Sequence, residues 1–426
     1  MAVNLFLFEV SWEVCNKVGG IYTVLQSKAP QAVAEFGENY YLLGPNLKTN
    51  REFEETDEER WPRIRESAAL KGIPCRCGRW TIPGRPKAIL VDFARKYNRD
   101  QLLYKLWEQY GVDSISGGWD YVEPVMFSYA CSEVIETIYN LLVRPTGGEA
   151  VAQFHEWMCG AGLLGIKKTA PEIGTIFTTH ATVLGRSLSG SGMDIYAEME
   201  RISPQKEAAA HNLTAKFSME AAAAREADCF ATVSAITATE AKSFLGLQPE
   251  VILPNGLDLA QIPDLAENRD AVAVSRRKLL DFATRFLGRP VPADARLMLI
   301  SGRYEFRNKG IDIFLEALAR LQKSMPPEHS TVAFFFVMGG HLEINQALLQ
   351  EGSPARQGQP PLLVTHRLHN ESADPILQAC DRLGLRNVAE SRVAVIFMPA
   401  FLDVYDGLLN MTYYDALSAC DLGVFP

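Results

Sequence analysis

Two cations six residues apart, Arg303 and Lys309, lie in the stretch Ser301–Gly310. An apolar run, Leu297–Ile300, precedes it, and Ile311, Phe314, Leu318 and Leu321 recur after it at helical spacing. The pattern predicts a buried parallel strand, a loop and a helix. In an open α/β sheet such a turn lies at the carboxyl ends of the strands, where ligands bind, and the helix behind it offers unpaired N–H groups and a partial positive charge. Two full charges added there suit a diphosphate, because charge-assisted bonds to an anion are the strong kind. Taken alone, the stretch reads equally well as a solvated loop with two ordinary basic residues.

Three further groups could meet the same ligand. His180 stands at the end of the predicted strand Ile173–Thr178, with Arg186 six residues on, an arrangement for one sugar-hydroxyl contact and one more cation. A strand-end histidine is also commonly a hydrogen-bonded structural residue. Lys17 precedes Gly19 and Gly20 at the junction of a strand, Asn4–Val10, and a helix, Thr23–Phe36. Paired glycines let backbone approach a ligand closely, and Lys17 could reach a phosphate or a sugar hydroxyl. Asn255 sits in Pro254–Asp258, a turn-rich exit from the run Val251–Leu253.

The elements that must position these groups alternate between strand and helix. Asn39–Leu43 closes a βαβ unit with the first strand and helix, and right-handed crossover makes a doubly wound sheet the expected outcome. Ala88–Phe93, Val151–Trp157 and Cys229–Val233 supply more strands; Tyr121–Leu142, Cys159–Lys167, Glu207–Ala227 and Thr237–Leu245 read as helices. Charged sequence from Lys48 to Arg65 reads as an exposed excursion. A boundary is expected after residue 262, giving domains 1–262 and 263–426. The second sheet should use Leu297–Ile300, Val332–Val337, Leu362–Thr365, Val393–Phe397 and Leu422–Phe425, with helices at Val272–Leu287, Ile311–Lys323, Asp374–Leu383 and Tyr413–Ala419. The expectation is an α/β protein of two Rossmann-like halves facing a cleft.

Composition narrows the class. With 426 residues, 47% hydrophobic and 22% charged, the chain can bury large cores. A formal charge of −9 argues against nucleic acid as the main partner. No apolar run approaches the roughly 18 residues of a membrane span, so no membrane association is expected. Of eight cysteines only Cys75 and Cys77 are close-spaced, and with no second pair or nearby histidine they read as reduced thiols of a cytoplasmic protein rather than as a metal site.

The blocks Phe8–Val10 through Lys17–Tyr22, Phe154–Trp157, Thr178–Arg186, Pro254–Leu257, Gly302–Gly310, Asp374–Leu377 and Asp421–Pro426 together resemble the glycogen synthases of the animal and fungal type. They occur in family order over nearly the whole chain. The resemblance implies a GT-B fold and transfer of glucose from UDP-glucose to the non-reducing end of an α-1,4-glucan with retention of configuration. It implies Lys17, Gly19, Gly20 and Asn255 at the donor, His180 and Arg186 at the transferred glucose and its phosphate, and Arg303 with Lys309 at the diphosphate, with no metal or other cofactor. Three departures stand out. The family continues past Gly-Val-Phe-Pro into a loop bearing two glutamates, whereas this sequence ends at Pro426. The second domain is therefore expected to be incomplete, and the chain ending there to bind UDP weakly and transfer little glucose. A long helical insertion used in tetramer contacts is replaced by a short, loop-like segment, Gly339–Pro361, and the arginine-rich helix that senses glucose 6-phosphate falls beyond Pro426. Homo-oligomerisation, use of ADP-glucose or another acceptor, and a non-catalytic nucleotide-sugar- or glucan-binding role stay open.

Overall fold

The computed structural model describes residues 4–48, 50–259, 262, 264–348 and 361–425. The chain divides into two compact units, Met1–Asp258 and Leu259–Pro426.

The first unit is built on one nine-stranded sheet. Its strands are β1 (Leu5–Val10), β2 (Tyr40–Pro45), β3 (Phe53–Glu55), β4 (Cys75–Trp80), β5 (Lys87–Val91), β6 (Glu149–His155), β7 (Gly174–Thr179), β8 (Cys229–Thr232) and β9 (Val251–Ile252). Their order is β3-β4-β5-β2-β1-β6-β7-β8-β9. Pairing is parallel from β5 through β9 and antiparallel at β3–β4 and β4–β5. β2 and β5 are buried along their whole length, as a parallel strand covered on both faces must be. The chain winds outward from β1 to β2 and β5, then returns to the other side of β1 as β6. The carboxyl ends of β1 and β6 therefore flank the point where strand order reverses, the usual ligand position in such sheets.

Several expectations need correction. Residues 48–65 are not an exposed excursion: Thr49 lies outside the described residues, but β3 and the start of the helix Trp61–Leu70 fall within this stretch. Trp61, Ile64 and Ala68 recur at helical spacing and are buried, with Pro62 in the first turn where its missing N–H costs nothing. Glu207–Ala227 is two helices, Pro204–Ala210 and Thr214–Glu226, because the chain turns at Asn212 in the left-handed region (φ 56°), which asparagine tolerates better than most residues.

The second unit has a four-stranded parallel sheet, formed by β10 (Arg296–Arg303), β11 (Thr331–Met338), β14 (Val393–Met398) and β15 (Leu422–Val424) in the order β14-β11-β10-β15. Between β11 and β14 the chain forms a separate antiparallel pair, β12 (His341–Ile344) and β13 (His366–Leu368). Helices Ile311–Ser324 and Pro375–Leu383 bury one face of the sheet, and Arg269–Leu287 and Tyr413–Ala419 bury the other. Leu362–Thr365 is not a strand of this sheet. It makes one isolated bridge, Val364 to Phe397, because the N–H of Asn345, next to β12, takes the carbonyl of Thr365. The segment 339–361 is likewise not all loop, since β12 lies in it; residues 349–360 of it, like Pro426, lie outside the described residues. All eight cysteines are free thiols.

Candidate functional site

In the first unit a polar cluster stands at the carboxyl ends of β1, β6 and β7. It begins with Glu9, fully buried in the apolar strand β1. An isolated carboxylate there would be very costly, so each oxygen is matched. Oε1 accepts from Lys28 Nζ at 2.5 Å and lies 3.0 Å from His155 Nε2, and Oε2 accepts from the Tyr40 hydroxyl. Burial raises the carboxyl pKa, but Lys28 and His155 outweigh it and hold the group well below the usual carboxylate range. Lys28 also donates to Gln153 Oε1 (3.2 Å), tying β6 into the cluster.

His155 passes the network on. Its Nδ1 lies 3.0 Å from His180 Nε2, with the two rings tilted by 36°. His180 is half-buried just past the end of β7. Burial, His155 and Arg186 together lower its pKa to about 3, so its imidazole is neutral near pH 7. The next residue in β6's exit, Glu156, takes a left-handed backbone (φ 66°) that turns its carboxylate under the following loop. Its Oε1 accepts from the N–H groups of His180 (3.1 Å) and Ala181 (3.2 Å) and lies 4.0 Å from Arg186 Nη2. The structure thus brings His180 and Arg186 to one carboxylate.

Beneath this loop are two more buried acids. Glu220, on the helix Thr214–Glu226, accepts from the N–H of Val183 (3.0 Å) and lies 3.3 Å from the Thr179 hydroxyl. Full burial, then the neighbouring Glu156, push its carboxyl up to about 8. Glu240 accepts from Thr182 Oγ1 (2.8 Å) and Tyr196 Oη (2.6 Å), while Thr182 itself caps the helix Val183–Gly190 through Gly185 N–H (3.1 Å). These acids fix the start of the helix that carries Arg186.

Glu13 occupies the glycine turn. Its Oε2 accepts from the N–H of Gly19 (3.0 Å) and of Tyr22 (2.7 Å), at the N-terminus of the helix Gly20–Phe36. A β-carbon on Gly19 would stand 2.6 Å from the same carboxylate. Gly20 is exposed, and Lys17 Nζ lies 5.5 Å from the centre of the Tyr22 ring. Asn255 is exposed on the coil after β9.

In the second unit β10 runs to Arg303, and the helix Ile311–Ser324 begins after Gly310. Gly302 has φ 148° and lies beneath the Lys309 stem, whose Cδ would be 3.9 Å from an added β-carbon. The Lys309 stem thus returns to Gly302, next in sequence to Arg303, which itself reaches Glu305 Oε1 at 3.3 Å. Tyr304 pins the loop from below: its hydroxyl donates to Asp374 Oδ2 (2.7 Å) and accepts from Ile376 N–H (3.1 Å). Asp374 in turn caps the helix Pro375–Leu383 through Leu377 N–H (3.0 Å), so the Asp374–Leu377 motif buttresses the loop.

Sequence reading missed the supporting acids Glu9, Glu13, Glu220 and Glu240. The signals were a glutamate interrupting an apolar strand and another amid alanines. A groove of about 480 Å³ elsewhere on the first unit, lined by Tyr104, Trp107 and Ile115, contains none of these residues.

A family model described as glycogen synthase matches residues 9–349 and 342–426, in two segments that overlap at residues 342–349. The liver glycogen [starch] synthase of Mus musculus is 33% identical over 484 aligned residues, covering 99% of this chain and 68% of that protein. Glycogen [starch] synthase isoform 2 of Saccharomyces cerevisiae is 31% identical over 504 residues, covering 99% and 71%. Among solved structures, the catalytic domain of starch synthase IV from Arabidopsis thaliana, bound to ADP and acarbose, superposes with a TM-score of 0.53 at 11% identity, covering 100% of this chain and 78% of that one. That last likeness speaks to the fold alone.

Proposed function

The chain belongs to the glycogen synthase family of glycosyltransferases and has the GT-B fold, and from that premise we propose that its donor is UDP-glucose and its acceptor the non-reducing end of an α-1,4-glucan. The observation that carries this reading is the placement of Arg303 at the carboxyl end of β10 and of Lys309, its stem near Gly302, just before the start of a helix. Two cations between a strand end and a helix N-terminus favour a diphosphate, and they favour it most as its charge grows during departure of the nucleoside diphosphate. On this reading Arg303 and Lys309 take the place a metal ion fills in other nucleotide-sugar enzymes, and no metal is required. In the first unit, neutral His180 orients the glucosyl group through a hydroxyl, and Arg186, held by Glu156, adds positive charge toward its phosphate. Neither acts as a nucleophile, and transfer proceeds with retention. Lys17 and Asn255 contribute further polar contacts to the donor.

Donor competition tests the choice of nucleotide. With UDP-glucose and ADP-glucose supplied together, each carrying a different label, UDP-glucose is expected to give most of the glucose added to glycogen. A majority from ADP-glucose would overturn the assignment.

A further inference from the structure

The Glu9–His155 pair has no part in the chemistry above, yet both residues are buried and the pair ends on His180. We propose that His155 is a positioning residue that fixes the tautomer of His180, so that His180 presents its Nδ1 as a hydrogen-bond acceptor to a sugar hydroxyl. The inference rests on the role given to His180 above.

The direction of each hydrogen bond follows from its partners. The Oε1 of Glu9 is an ionised oxygen, so the facing His155 Nε2 must carry hydrogen. With its hydrogen on Nε2, His155 offers the lone pair of Nδ1 to its neighbour. The group 3.0 Å away, His180 Nε2, must therefore be the donor. His180 is neutral, so with hydrogen on Nε2 its Nδ1 is bare. Two rings and one carboxylate thus convert a buried negative charge into a defined acceptor at the strand end. The tautomer of His180 is therefore the quantity to measure.

Nitrogen-15 NMR of the histidine-labelled protein reads this directly. At pH 7.5 the wild-type His180 should show a protonated Nε2 and a bare Nδ1. In His155→Ala that preference should vanish, and turnover measured as UDP release should fall on the order of tenfold to a hundredfold, as when a group orienting a functional side chain is removed, with the donor KM changing less. His155→Asn should recover both, because its Oδ1 can occupy the acceptor position of Nδ1. A wild-type His180 protonated on Nδ1 would overturn the proposal, as would an unchanged tautomer or an unchanged turnover in His155→Ala. The wild-type spectrum decides even if His155→Ala does not fold. Absence of turnover in the wild type would refute the transferase reading while leaving the tautomer to be decided by the spectrum.

Discussion

Replacing Glu220 by glutamine should stabilise the first unit, and increasingly so as pH rises. Glu220 is fully buried, and its carboxyl is raised from 4.5 to about 8, first by burial and then by Glu156. The folded state therefore binds this proton more tightly than the unfolded state does. Stability is highest below the unfolded pKa, falls as pH rises from 4.5, and levels off once the folded group has ionised near 8. A difference of 3.5 between those two values, at about 1.36 kcal/mol per unit, amounts to about 5 kcal/mol lost across the window. Glutamine keeps the carbonyl that accepts from Val183 N–H but never ionises. All six tryptophans, at positions 12, 61, 80, 107, 119 and 157, lie within Met1–Asp258, so their fluorescence during urea unfolding reports this unit alone. The stability difference between Glu220→Gln and wild type should be small at pH 4.5 and grow by roughly 1 kcal/mol per pH unit to pH 8. Parallel pH profiles for the two proteins would refute the reasoning.

Arg303→Ala and Lys309→Ala should each lower turnover on the order of a hundredfold, equivalent to roughly 3 kcal/mol of transition-state stabilisation, with unfolding midpoints unchanged. Near-normal turnover in the double variant would remove both from the site. Gly78→Ala places a β-carbon 2.0 Å from the Glu54 carbonyl oxygen in the β3–β4 pair, a backbone clash that no side-chain rotation relieves. It should cost about 1–3 kcal/mol, seen as a lower Tm by tryptophan fluorescence. Tyr304→Phe leaves Ile376 N–H and one Asp374 oxygen without the hydroxyl, a loss of about 1–3 kcal/mol that should appear as faster hydrogen exchange at Ile376.

The parts of the fold that periodicity encodes were legible. β10, β11 and the helix Ile311–Ser324 follow from an apolar run beside a strong 3.6-residue repeat. What periodicity does not encode was lost: β4, Cys75–Trp80, alternates no clean polar and apolar faces, and it owes its place to antiparallel pairing with β5. Around the site, the residue types could be picked out, because His180 and Arg303 stand at the ends of strands and Arg186 and Lys309 follow each six residues on. Their supports could not. Glu9 and His155 come from two separate strands that only the strand order makes neighbours, and Glu220 comes from the helix Thr214–Glu226 far along the chain. The Asp374–Leu377 motif was visible as a pattern, but its work, capping a helix and taking the Tyr304 hydroxyl, depends on a contact between residues 70 apart in sequence.

Calorimetric titration with UDP tests the central claim most directly. Saturable binding is expected, stronger than that of ADP and weakened by salt, as contacts between exposed cations and an anion should be. In an Arg303→Ala, Lys309→Ala double variant that keeps its unfolding midpoint, the heat of binding should disappear at the same concentrations. Undiminished affinity in that variant would contradict the account.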